Sequence, residues 1–374
     1  MHIGVEASTL RGVSAGIARY TLAMVSCILE LAPDAEFTFY SPRPFNLQLP
    51  ASRCRLRTGS GLYARYANLW LQERLPTWLA EDHVDVFWGQ NHLLPLRLKR
   101  PCRRLLTVHD LTALLFPSTM PFRSALAARY LLRKVARAAD FVAADSHATA
   151  NLVERCLGVE RGKLAVVHNG VGECFTPIPR AAAGEFVTRE YGLPRGFMLT
   201  VGTIEPRKNH MTLLDAVESE ARAPLLVVVG GEGWRCAETM RRVRKLEAEG
   251  RVRYLGWVDD SRLAVLYSAA TLMVYTSYYE GFGLPVLEAM ACGCPVLCSW
   301  SSSLPEVGGD AVRYFRPRDR EGLVRQLRML TSSPDELAAM SSRGLRRAGQ
   351  FGQRAAASRM LTLMCNCKSG SGER

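Results

Sequence analysis

The chain has 374 residues, of which 48% are apolar and 22% charged, and its formal net charge is +13. That length exceeds one compact domain of roughly 100–200 residues, and the composition is that of an ordinary globular protein, which excludes disordered and collagen-like classes. The positive excess is spread along the chain, +7 before residue 179 and +6 after it, so it is not a basic tail. No recognised nucleic-acid module accompanies it, and nucleic acid is not an expected partner. The eleven cysteines are scattered from Cys27 to Cys367. They show no CxxC step and no companion His at zinc spacing, which points to reduced thiols and no metal site. Met1-His2-Ile3-Gly4-Val5 lacks a basic-then-apolar leader, and runs such as Leu225–Val229 fall short of the ~18 residues of a spanning helix. A cytoplasmic protein is expected.

Strand-like runs alternate with helical periods from end to end, which predicts parallel sheets with crossover helices, an α/β class. Strands are expected at His2–Ala7, Phe37–Tyr40, Val84–Trp88, Leu105–Val108, Phe141–Ala144 and Leu164–Val167, with helices over Gly16–Leu31, Tyr63–Leu79 and Ser124–Ala138. Cys174-Phe-Thr-Pro177-Ile-Pro179 reads as a linker. A second set follows at Phe197–Val201, Leu225–Val229, Val252–Leu255, Leu272–Tyr275 and Pro295–Cys298. The chain closes with helices Pro334–Arg347 and Arg354–Met364, bent at Phe351-Gly352. The expected division is 1–178, 179–350, and a tail of 351–374 carrying the last helix.

The most informative stretch is Tyr279-Glu280-Gly281-Phe282-Gly283-Leu284-Pro285-Val286-Leu287-Glu288-Ala289-Met290-Ala291-Cys292-Gly293-Cys294-Pro295-Val296. A strand ends, a glycine turn brings bare amides close to whatever lies above the sheet, and Pro285 falls in the first turn of the next helix. Upstream, Val201-Gly202-Thr203-Ile204-Glu205-Pro206-Arg207-Lys208-Asn209 places two cations beside a glycine turn. Helix dipoles disfavour cations at such a place unless an anion is present.

The spacing of Glu280 and Glu288 within this stretch resembles the signature of the retaining glycosyltransferases of family 4, and the resemblance runs over nearly the whole chain. It implies the GT-B fold: two Rossmann-like, doubly wound lobes with a cleft between them and a C-terminal helix crossing back to the first lobe. By the same resemblance Glu280 holds sugar hydroxyls, Glu288 the ribose, and Arg207 and Lys208 the diphosphate. Some members carry an Arg directly after the glycine where Thr203 stands here, so that role shifts to Arg207. Gly202, Gly281, Phe282, Gly283 and Leu284 would approach the donor, and Val258, in Gly256-Trp257-Val258, would touch the base. In the first lobe Gly12-Val13-Ser14-Ala15-Gly16-Ile17-Ala18-Arg19-Tyr20 is similar to the family's glycine loop, with Ala18 in place of its second glycine and Gly16 kept. His109, in Thr107-Val108-His109-Asp110-Leu111, matches the histidine beside the donor sugar. Asp145-Ser146-His147 and Val167-His168-Asn169 also match the first-lobe pattern and carry no chemistry in this reading.

No Asp-x-Asp triplet occurs, so catalysis is expected without a metal or other cofactor, the donor being a nucleotide sugar. The segments GTIEPRKN and VHDLTALLFP are most similar to enzymes of O-antigen and related surface-polysaccharide assembly that use GDP-mannose or another GDP-sugar, with a lipid-linked or saccharide acceptor. A UDP-sugar donor, and a protein of this fold that binds without transfer, are the alternatives. An NAD-dependent oxidoreductase is disfavoured because Gly12-x3-Gly16 is not GxGxxG. A lipid-linked acceptor would set the first lobe peripherally on the inner face of the cell membrane. Tyr63, Arg65, Tyr66, Trp70 and Arg74, and the stretch from Arg123 to Arg137 with Leu126, Tyr130, Leu131 and Val135 as apolar surface, suit an anionic leaflet.

Overall fold

The computed structural model describes residues 1–11, 16–47, 49–90, 92–117 and 122–369. The glycine-loop positions Gly12 to Ala15 and the side chains of Arg123, Leu126 and Arg129 lie outside what is described. The chain divides into two compact units, Met1–Gly170 with Gln353–Arg374, and Val171–Gly352.

The first unit is built on a seven-stranded parallel sheet. Its strands are β1 (His2–Glu6), β2 (Glu36–Ser41), β3 (Cys54–Thr58), β4 (Val86–Gly89), β5 (Arg103–Val108), β6 (Phe141–Ala144) and β7 (Leu164–Val166). They lie in the order β3-β2-β1-β4-β5-β6-β7. Both faces are covered, which is why the strands read as continuous apolar runs. On one face Ile3, Val5 and Trp88 pack under helix Gly16–Leu31, whose Tyr20, Met24 and Ile28 recur at helical spacing. Helix Gln353–Ser369 joins that core through Ala356, Ala357, Met360 and Met364, so the C-terminal helix crosses back to the first unit. On the other face Tyr40, Phe87 and Leu106 pack against Trp70, Leu75 and Trp78.

The second unit holds a six-stranded parallel sheet. Its strands are β8 (Met198–Val201), β9 (Leu226–Val229), β10 (Val252–Gly256), β11 (Leu272–Tyr275), β12 (Val296–Ser299) and β13 (Arg313–Phe315). The order is β10-β9-β8-β11-β12-β13. In such a sheet the chain reverses its direction of travel between β8 and β11, and the crevice outside the carboxyl ends of those strands is where ligands bind.

Several expectations are corrected. Tyr63–Leu79 is not one helix: it runs as Gly61–Arg65, Ala67–Leu69, a π turn at Trp70–Arg74, and Leu75–Glu81. Pro76 in the first turn of the last piece has no N–H to give, and the wide turn before it absorbs the mismatch. Trp70, expected outward, is 1% exposed, as is Val135, because both fill the core beneath β4 and β5. The stretch read as a linker belongs to the second unit, where Phe175 is buried against the Tyr267 ring. Strands β3 and β13 were not expected. Among the described residues no helix is long and apolar enough to cross a membrane.

Candidate active site

In the second unit the loops after β8 and β11 are stapled together by their own backbone and side-chain hydrogen bonds. Gly202 and Gly230 both have φ of +144°, and a Cβ on Gly230 would sit 2.1 Å from the Gly202 carbonyl oxygen. Only glycine permits that backbone approach. The short 3-10 turn Pro206–Lys208 ends at Asn209, in the left-handed region at φ +56°. The Asn209 amide donates to the carbonyls of Thr276 (3.1 Å) and Pro317 (2.9 Å), while the Thr276 hydroxyl donates back to those of Lys208 (2.9 Å) and Asn209 (3.0 Å).

These staples aim both cations at one carboxylate. Lys208 Nζ donates to Glu280 Oε1 (2.7 Å) and to the Tyr275 hydroxyl (2.7 Å). Arg207 Nη1 donates to Glu280 Oε2 (3.0 Å) and to the Tyr279 carbonyl (2.7 Å). The Arg207 Nε and Nη2 groups grip Glu205 Oε1 at 3.0 and 2.6 Å, and Glu205 Oε2 accepts from the Trp234 indole at 3.0 Å. Glu280 Oε1 accepts further from Tyr275 (2.9 Å) and from the Ser277 hydroxyl. The Glu280 backbone is fixed as well: its N–H donates to Ser302 Oγ (2.8 Å) and its carbonyl accepts from Ser303 (3.0 Å). Burial alone would raise the Glu280 carboxyl, but Lys208, Arg207 and the hydrogen bonds outweigh it and hold it at about 2. Glu280 is therefore an ionised acceptor and no proton donor. Two cations meet two carboxylates here, so the cluster is neutral as a set.

Helix Leu284–Ala291 begins at Gly283, whose φ of +108° and packing against Leu304 exclude a side chain. In its first turn Pro285 has no N–H, and the Val286 and Leu287 N–H groups donate to the Gly283 carbonyl. Phe282 turns away into the core, edge-on to Phe351 with ring centres 5.8 Å apart. Glu288 is buried and accepts from the Tyr267 hydroxyl at 3.2 Å. Burial, then Glu280, and more weakly Glu288 push the Tyr275 phenol well above the ordinary value. Val258 is half-buried, following Gly256 at φ +66°.

His109 stands in the first unit, just past β5. Its Nδ1 lies 2.8 Å from Asp145 Oδ2 and its Nε2 3.4 Å from Gln90 Oε1. Asn169 donates to the same Asp145 oxygen at 3.1 Å, and the Tyr20 ring sits edge-on to the imidazole at 4.9 Å. Gly16 opens helix Gly16–Leu31. Ser146 caps helix His147–Leu152 by accepting from the Thr149 N–H.

The residues to which sequence reasoning gave no part in the chemistry are Glu205, Tyr275, Ser277 and Ser302 in the second unit, and Gln90, Asp145 and Asn169 in the first. Glu205 lies inside the Val201–Asn209 stretch, and Tyr275 and Ser277 come just before the stretch that opens at Tyr279. Asp145 and Asn169 meet His109 only through the pairing of β5, β6 and β7.

Residues 15–172 match the family model described as Glycosyltransferase Family 4, and residues 190–347 the one described as Glycosyl transferases group 1. The O-antigen chain mannosyltransferase B of Escherichia coli is 31% identical over 365 residues, 90% of this chain and 92% of the relative. Among solved structures, a sucrose-phosphate synthase from Thermosynechococcus elongatus superposes with a TM-score of 0.82 at 22% identity, covering 99% of this chain and 100% of the other. WaaG, a glycosyltransferase involved in lipopolysaccharide biosynthesis, gives 0.76 at 17% identity, with 99% and 100% covered. The chain belongs to the glycosyltransferases of family 4 and group 1, hexosyl-transferring enzymes of the GT-B fold.

Proposed function

We propose that the chain moves a mannosyl unit from GDP-mannose, with retention at the anomeric carbon and without a metal, to a lipid-linked or saccharide acceptor of surface-polysaccharide assembly. The observation that carries this is the pinned Glu280 carboxylate with Lys208 and Arg207 beside it at the strand reversal of the second sheet. The name of the Escherichia coli relative supports the sugar and the pathway class.

In this reading Glu280 accepts from the sugar hydroxyls and Glu288 from the ribose diol. The glycosyl–phosphate bond breaks as an oxocarbenium-like centre forms. The acceptor oxygen then bonds to that carbon on the same face and gives its proton to the departing phosphate oxygen. Charge growing on that phosphate meets the fixed positive charge of Lys208 and Arg207 and the amides of Gly281 to Leu284, which need no rearrangement at the moment of reaction. Two side-chain cations in the role of a bridging metal are the reason to expect none. By the resemblance His109 would lie beside the donor sugar, its backbone carbonyl or ring meeting a hydroxyl or the leaving oxygen.

A thermal-shift panel of GDP, UDP, ADP and their sugar derivatives, with and without EDTA, tests the donor. A ligand at about 100 times its Kd stabilises the native state by ~2.7 kcal/mol. GDP and GDP-mannose should give the largest shift, unchanged by EDTA. A larger shift with UDP would move the donor to a UDP-sugar, and no response to any nucleoside diphosphate would sink the assignment.

A further inference from the structure

At the carboxyl ends of β4 to β7 the first unit buries more polar groups than it satisfies. Gln90, Asp145 and Asn169 are all at most 5% exposed. Gln90 Nε2, Asp145 Oδ1 and Asn169 Oδ1 are buried with no partner among the described residues. A buried carboxylate left part-satisfied in this way costs stability unless it does something else. What Asp145 does is accept two donors on one oxygen, the His109 Nδ1 side at 2.8 Å and the Asn169 amide at 3.1 Å.

We propose that Asp145, itself held by Asn169, is a positioning residue for His109: it fixes the ring with a proton on Nδ1 and presents Nε2 as the working nitrogen. The proposal rests on the reading of His109 as the group beside the donor sugar. In metal sites and catalytic dyads alike, the partner of one imidazole nitrogen decides the state of the other.

Gln90 extends the argument. Its Oε1 lies 3.4 Å from His109 Nε2, and two acceptors cannot bond. With a charged ring, Nε2–H donates to that oxygen. With a neutral ring, the Gln90 amide turns over and its otherwise unpartnered Nε2 donates to the imidazole. Gln90 thus follows the proton on His109.

The charged and titratable groups facing this ring are Asp145 from the loop after β6, Asp110 beside it in the chain, His92 from the segment between β4 and β5, and Tyr20 from helix Gly16–Leu31. Burial lowers the affinity of His109 for a proton, but Asp145, by charge and hydrogen bond, and more weakly Asp110 outweigh it, so the imidazole titrates above its ordinary value.

The test uses the full chain with 15N-labelled histidine, followed by NMR across pH without substrate, with His109→Gln assigning the signal. The wild type should show an Nδ1–H tautomer when neutral and a midpoint above the ordinary value of about 6.5. Asp145→Asn, which keeps the shape, should lower the midpoint by about one pH unit, a tenfold loss of proton affinity, and relax the tautomer preference. Asn169→Ala frees the carboxylate of a competing donor and should move the midpoint upward. Opposite shifts are not what a merely structural role gives. An unmoved midpoint and tautomer in Asp145→Asn overturns the proposal. Should that variant not fold, an unmoved or lowered midpoint in Asn169→Ala overturns it. In parallel, the pH profile of mannosyl transfer from GDP-mannose should shift with the titration. Because the titration needs no substrate, absence of transfer would remove the functional reading alone, and an unmoved titration in an active enzyme would remove the positioning role alone.

Discussion

Lys208 and Arg207 are adjacent cations with different tasks. Arg207 spends its planar fork on Glu205, Glu280 and the Tyr279 carbonyl, so it braces the carboxylate that the sugar meets. Lys208 is a compact ammonium with two of its three donors used inside the protein and one left for a phosphate. Lys208→Ala should therefore weaken GDP binding and lower kcat by about a hundredfold or more, the usual cost of removing a preorganised donor. Arg207→Lys cannot span two carboxylates. It should lower kcat by about tenfold while leaving GDP affinity within about threefold, as calorimetric titration and steady-state kinetics would show; a collapse of GDP binding would make Arg207 the direct clamp. Glu280 adds a stability signature. Its folded value of about 2 lies below the ordinary 4.5, so its contribution is fully present above the latter and lost as pH falls toward the former. The shift corresponds to a contribution of order 3 kcal/mol. Urea unfolding at about pH 6 and about pH 3 should reveal the loss in the wild type. In Glu280→Gln, already destabilised because Lys208 and Arg207 are left with Glu205 as their shared carboxylate, the acid slope should flatten.

At the scale of elements, the glycine turns after β8 and β9 set the floor of the site. Gly230→Ala places a methyl 2.1 Å from the Gly202 carbonyl and forces a side chain onto φ +144°, two penalties that together come to about 2–5 kcal/mol. Gly231→Ala next to it meets nothing within 4 Å and should stay within about 0.5 kcal/mol; equal urea midpoints for the two variants would contradict this account of the turn. The central strands and the helices over Gly16–Leu31 and Pro334–Ala348 were legible in the sequence because burial on both faces, or helical spacing, writes itself into the residue pattern. Strands β3, reading Cys-Arg-Leu-Arg-Thr, and β13, reading Arg-Tyr-Phe, were not. Both are sheet edges, half-wet and short, and their alternation with charge looks like loop. The site divided along the same line. Motif residues on one loop could be found from their spacing, whereas Asp145 and Asn169 come to His109 only when three strands lie side by side, which a linear pattern does not encode.

At the scale of the whole molecule, the charge of +13 and the exposed apolar groups of the first unit bear on where the enzyme works. Leu62, Tyr66 and Leu69 on the broken helical stretch, and Tyr130 and Leu131 on helix Phe122–Ala138, are all exposed. Arg65 lies over the Tyr66 ring at 5.7 Å and Lys134 over the Tyr130 ring at 4.4 Å, so each aromatic carries a cation to the surface with it. Near an anionic leaflet each such cation contributes about 1 kcal/mol, and aromatic rings favour the interface. A lipid-linked acceptor would set these surfaces of the first unit against the membrane. The basic residue Arg133 is a poorer probe, since its Nε already donates to the Cys156 carbonyl. Co-sedimentation with phosphatidylglycerol and phosphatidylcholine vesicles decides the matter. Binding should require the anionic lipid and fall as added salt shortens the ~8–10 Å Debye length. It should weaken about tenfold or more when Arg65→Glu and Lys134→Glu are combined, since each reversal replaces an attraction by a repulsion. Leu62→Ser with Tyr130→Ser should lower binding without changing its salt dependence, because only the apolar contribution is removed. Equal binding to both vesicle types, or binding to neither, would reject this docking mode and leave the surface positive for another reason.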